Sequence, residues 1–128
     1  MEISDRRNIC QLVAGILVSD DLVTEDEVAF LQRIYRRFGL PVEEAETVQP
    51  IEAGAASATL RQLPEQVQAK VVALLVEAAI ADGVVDGRER AYLLVAAAAL
   101  GIEADVMEQR IATRLERLDE HGPMSNPR

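Results

Sequence analysis

The sequence predicts an all-α fold: a helical bundle of two pseudo-symmetric helical hairpins plus a short connecting helix and a C-terminal helix. Three observations predict it. Apolar residues recur at helical spacing along most of the chain, and no strand-period alternation of useful length appears. The chain matches itself when shifted by 62 residues, so that VSDDLVTEDEVAFL (18–31) falls on IADGVVDGRERAYL (80–93). Gly39 and Gly101 stand just past the second helical stretch of each copy, where a left-handed cap ends a helix.

Within the repeat, Asp20 meets Asp82, Glu27 meets Glu89, Phe30 meets Tyr92, and FGL (38–40) meets LGI (100–102). The repeats cover about 5–40 and 67–102 and should superpose as hairpins related by an approximate two-fold. The first helix carries Ile9, Leu12, Val13, Ile16 and Leu17 on one face. Thr24 precedes Glu27 by three, the spacing of a capping box, and opens a helix with the stripe Phe30, Leu31, Ile34, Tyr35 and Phe38. Gln32, Arg33, Arg36 and Arg37 form its solvated face, and Pro41 blocks continuation.

PVEEAETV (41–48) reads as the short connecting helix, and PIEAGAASATLRQL (50–63) is ambiguous, with Gly54 and small residues suggesting a loop joined to a short helix. Pro64 suits the first position of the next helix, whose stripe is Val67, Val71, Leu74, Leu75 and Ala78. Asp86 precedes Glu89 by three, again a capping pattern. Residues 91–100, AYLLVAAAAL, are apolar all round, which places the second hairpin at the heart of the fold and buries Leu94 and Ala97. Val106, Ile111, Leu115 and Leu118 describe a final amphipathic helix over 103–119. Residues 1–119 thus form one domain, and EHGPMSNPR (120–128) reads as a disordered tail.

With 128 residues and 49% hydrophobic content, the chain can bury one real core built from Leu, Val, Ile and Ala. Its formal charge of −9, from 22 acidic and 13 basic residues, argues against a general affinity for nucleic acid or anionic lipid. The balance suits cations or basic protein surfaces. Cys10, the single cysteine, has Ile9, Leu12 and Val13 as neighbours and reads as a small core residue. The N-terminal stretch MEISDRRNIC lacks a signal-peptide core, and the longest apolar runs are too short to span a bilayer, so a cytoplasmic location without membrane insertion is expected.

The segment LPEQVQAKVVALLVEAAIADGVVDGRERAYLLVAAAALGI (63–102) resembles the tellurite-resistance protein B (TerB)-like family. The resemblance rests on an apolar helix ending in ADG, a Glu seven residues after the Asp, and a helix ending in LGI. The first copy, with SDD in place of ADG, carries the same pattern, and the matching segments cover roughly 8–118. The resemblance implies an all-α fold of two related halves and a non-enzymatic role in stress or metal-ion response. It makes the acids at the turns candidate ligands for a divalent cation.

The residues themselves leave two readings open. An EF-hand is excluded: with Glu89 as its last ligand, the first and third positions fall on Ala78 and Ile80, and in the first copy on Ile16 and Val18. Asp82 and Glu89 can still offer two oxygens to a hard cation such as calcium or magnesium, and Asp20 and Glu27 two more if the hairpins bring their turns together. Residues 19–27 hold five acids and no base, and Asp20, Asp21 and Asp82 lie near helix C-termini, where the macrodipole disfavours anions. Alternatively, Glu27 and Glu89 only cap, and Asp82-Gly83 is an ordinary turn pair. No catalytic constellation appears: His121, the only histidine, lies in the tail, and Gly83 with Gly87 lacks a P-loop Lys-Ser/Thr. The expected function is a non-enzymatic interaction module with a protein partner or as a homo-oligomer. Its alternative is a purely structural or oligomerising helical domain without ligand.

Overall fold

Two helices of equal length and matching repeat position form the centre of the molecule. In the computed structural model, which describes residues 2–18, 25–81 and 85–121, α1 spans Ile3–Leu17 and α4 spans Glu65–Ala79, 15 residues each. Both begin partly exposed and end buried nearly all round: Ile9 to Leu17 in α1, apart from half-buried Gln11, and Val71 to Ala79 in α4, apart from Ala73 and Glu77. They pack extensively on each other. Each buried Leu, Ile or Val contributes roughly 1.5–3 kcal/mol, so this pair is the main hydrophobic store of the fold.

The partners of these helices are α2 (Glu25–Arg37) and α5 (Gly87–Ala99), 13 residues each. The offset of 62 therefore holds for both ends of both helices. It holds at the stops as well. Gly39 (φ 72°) and Gly101 (φ 78°) adopt the left-handed conformation. Leu40 N–H donates to the Tyr35 carbonyl at 2.9 Å, and Ile102 N–H to the Ala97 carbonyl at 3.0 Å, the six-to-one bond of a Schellman cap.

The connector holds two helical elements. A 3-10 helix at Val42–Thr47 is followed by α3 (Ala53–Gln62), which resolves the ambiguous stretch as helix. Ala56 and Leu60, one turn apart, are its buried residues, and α3 lies broadly against α5. Ser57 Oγ donates to the Val95 carbonyl at 3.5 Å, and Arg61 Nε to the Ala99 carbonyl at 3.4 Å. Pro64 occupies the cap position (φ −54°, ψ 138°) rather than the first helical position, because its extended ψ places Glu65 first. The last helix, α6, spans Ala104–His121, so it continues past the predicted start of the tail, and the rest of the tail lies outside the described residues.

Three packing expectations change. The core centres on one helix from each hairpin, not on the second hairpin. Ala97 is buried as expected, whereas Leu94 is half-buried against the core. The outward face of α5 is Ala91, Val95 and Ala98, with Val95 37% exposed. Alanine exposes so little apolar area that a run of it reads as buried on every side while one side meets water. In α6, Met107 and Ile111 are buried and Val106 is 41% exposed, since Val106 sits about 100° around the helix from Met107.

Ile51 locks the connector to both hairpins. Its N–H donates to the Gln11 carbonyl at 3.1 Å, and its carbonyl accepts the Tyr92 hydroxyl at 2.6 Å. Both groups lie against Gly15. A Cβ there would overlap the Ile51 carbonyl oxygen and stand 2.5 Å from the Tyr92 hydroxyl. Gly15→Ala should therefore lose stability by roughly 1–3 kcal/mol from overpacking, despite alanine's better helix propensity. Gly54→Ala in α3 meets nothing within 4 Å and should gain up to about 1 kcal/mol. Urea unfolding of the two variants reads both signs.

Burial also sets the alkaline behaviour. Desolvation, with a smaller contribution from Glu44, pushes the Cys10 thiol from 9.0 up to about 12, and desolvation pushes Tyr35 up to about 12. Their neutral forms are favoured in the fold, so this contribution is complete below the unfolded values near 9 and 10 and is lost as pH climbs towards 12. Stability should fall steadily above about pH 9, and Cys10→Ala should flatten that slope. Native protein at pH 8 should leave Cys10 unlabelled by a maleimide that reacts fully in urea.

Candidate functional site

The candidate acids divide by repeat position. Asp20 and Asp82 lie outside the described residues. Glu27 and Glu89 occupy the third position of α2 and α5, and each is only 3% exposed. They are the buried charged residues of the described structure. The cause is a coincidence of two periodicities. The third helical position, where a capping glutamate belongs, also begins the buried stripe: Glu27 continues into Leu31, Ile34 and Tyr35, and Glu89 into Tyr92, Leu93, Ala96 and Ala97.

At α5 the capping box is complete. Glu89 N–H donates to Asp86 Oδ1 at 2.8 Å, and Asp86 N–H donates to Glu89 Oε1 at 3.2 Å. Asp86 is extended (φ −81°, ψ 176°), as a cap residue must be. Arg90, one residue on, forms an ion pair with Glu108 that ties this end of α5 to α6. At α2, Glu25 and Asp26 are exposed beside buried Glu27, three acids on the positive end of the helix dipole. The cap residue expected there, Thr24, lies outside the described residues.

Four carboxylates are a chemically suitable set for calcium or magnesium, which take oxygen ligands. The described part of that set is two single glutamates. They stand on α2 and α5, which share no extensive contact, and no group of three His, Cys, Asp or Glu residues converges among the described residues.

Other candidate groups are accounted for by structure. Cys10 is fully buried with its thiol held protonated. The Tyr92 hydroxyl is engaged with Ile51, and burial raises its pKa. Arg33 lies over the Phe30 ring, 5.5 Å from its centroid. His121 is the last residue of α6. No helix among the described residues is long and apolar enough to cross a membrane. The sequence reading overlooked Arg110, Arg114 and Arg117, although their spacing of four and three puts them on one face of a helix.

The two roles of Glu89 separate by substitution. Asp86→Ala removes the cap acceptor and should cost about 1 kcal/mol, lowering the melting temperature by about 3–5 °C. Glu89→Gln keeps an oxygen that can accept the Asp86 N–H and should cost less than Glu89→Ala, which leaves that donor without its partner. Thermal melting of the three variants gives the order.

No significant match to the chain is found among curated proteins or solved structures. The family model described as Tellurite resistance protein TerB matches residues 6–112. That span runs from the first turn of α1 to the middle of α6 and includes both hairpins and both glutamates. An all-helical chain with two repeat-related hairpins, matched over most of its length, belongs to the TerB family.

Proposed function

We propose that this TerB-like chain is a non-enzymatic stress-response and interaction module whose acidic turns take a divalent cation. Asp20 and Glu27 serve one turn, and Asp82 and Glu89 the other. The observation that carries the proposal is the burial of Glu27 and Glu89 at one repeat-related position. Glutamate is seldom buried, so its burial at two repeat-related positions marks both helix entrances. Here it is buried twice, each time at the entrance to a helix and next to a turn bearing aspartate. Calcium or magnesium at such a turn would relieve repulsion among the acids and fix the turn's shape, which is how a cation can govern a protein contact. Cys10, shut in the core with a raised pKa, does not offer an accessible thiol for covalent catalysis.

A second reading has its own observation. The completed capping box gives Asp86 and Glu89 a structural task. On that reading the domain is purely structural or oligomerising, and the acids only cap and turn.

Thermal melting at fixed ionic strength, with and without millimolar calcium or magnesium, separates the readings. Ligand present at a hundredfold excess over Kd should stabilise the wild type by about 2.7 kcal/mol for each occupied site. The variant Asp20→Asn, Glu27→Gln, Asp82→Asn, Glu89→Gln should lose that response while melting no lower than the wild type without metal. A wild type indifferent to both ions removes the cation from the proposal and leaves the structural reading.

A further inference from the structure

Although the chain carries a formal charge of −9, cationic side chains collect on one apolar face. A groove of about 450 Å³ runs between α4 and α6. Buried Val72, Val76 and Met107 lie along it, with exposed Ala69, Ala73 and Val106 at its edges. The α6 wall presents Arg110, Arg114 and Arg117. A second groove of about 500 Å³ flanks the same helix on the side of Phe38 and carries Arg37 and Lys70. Ala73 and Arg114 line both, so the two grooves meet across α4.

Among the described residues, Glu77 is the one carboxylate lining either groove, and it faces Arg114 at 3.6 Å. Arg37, Lys70, Arg110 and Arg117 make no ion pair among the described residues. The face therefore offers an aliphatic trough with four uncompensated cations at its lips. Its complement is a segment with apolar side chains on one side and carboxylates flanking them. The lining of α4 runs from Val67 to Glu77, which at 1.5 Å per residue is about 15 Å, the length of a three-turn helix. A long polyanion is disfavoured, because its charges beyond the groove would meet the acidic remainder of the domain within about 10 Å.

We propose that this α4–α6 face docks an acidic amphipathic helical segment of a protein partner, with apolar residues on Ala69, Ala73 and Val106 and carboxylates on Arg37, Lys70, Arg110 and Arg117. The proposal rests on the reading of the domain as an interaction module and supplies the chemistry of its partner.

The test is selection of a random 16-residue peptide library on the full chain, with Arg110→Glu/Arg117→Glu as the counter-target. Both substituted residues are exposed, so the variant should melt as the wild type does. Enriched peptides should be rich in Asp and Glu, with apolar residues at spacings of three and four. Their amide-shift changes should map to Ala69, Ala73, Val106 and Thr113. Affinity should fall about tenfold or more in the variant and should weaken as salt screens the pairs. Enrichment of neutral or basic peptides, or equal affinity for the variant, overturns the proposal. Peptides that shift another face overturn the groove and leave the interaction module standing, whereas no enrichment at all counts against both. Sedimentation showing a dimer that the variant dissociates would assign the face to a second copy and overturn a separate partner. Binding to phosphatidylglycerol vesicles but to no peptide would do the same in favour of a membrane surface.

Discussion

The close approach over Gly15 is the constraint on which the remaining arrangement depends. At that point the backbone of Ile51 lies on α1, and the Tyr92 hydroxyl reaches the Ile51 carbonyl from α5. One residue thereby joins the first hairpin, the connector and the second hairpin. A hydroxyl–carbonyl bond contributes only about 1 kcal/mol net, but leaving the buried donor without its acceptor would cost about 1–3 kcal/mol. The junction also breaks the repeat. In the first copy the tyrosine's counterpart is Phe30, which has no hydroxyl, and in the second copy the glycine's counterpart is Glu77, which faces Arg114. The repeat-related helices match in length, but this junction has no counterpart at the equivalent positions of the other copy.

The acids at the turns show how stability and chemistry can compete for the same atoms. A glutamate at the third position of a helix caps most simply when it stays in water. Glu89 instead makes its capping bond to Asp86 in a buried setting, because the apolar stripe of α5 starts at the same position. Glu27 shares that placement at the head of α2.

Much of this was legible before any coordinates. The offset of 62 located α1, α2, α4 and α5, and the glycine stops and the Asp86–Glu89 cap stand where their spacing placed them. What the sequence hid has physical causes. The alanines of residues 96–99 carry too little side chain to announce which face meets water. α3 is built of small residues around only two buried positions, so its periodicity is faint, and its helicity owes more to packing on α5 than to pattern. Val106 and Met107 are neighbours of similar hydrophobicity, and the choice between them depends on the direction from which α4 and α5 approach. The burial of Glu27 and Glu89 was available by extending each stripe one turn towards its cap, but a charge at the end of a stripe reads by default as solvated. The basic trough was harder to see, since it is assembled from three helices far apart in the chain.

The third element of each repeat begins at the same offset but does not end there. In the first copy it is a 3-10 helix of six residues at Val42–Thr47; in the second it is the eighteen-residue helix Ala104–His121. A duplicated scaffold ordinarily presents each of its faces twice and can hold two equivalent guests. Here the duplication stops short of that outcome. The wall that α6 raises beside α4 has no twin beside α1 among the described residues, so a partner docked there as proposed would find one such face per domain.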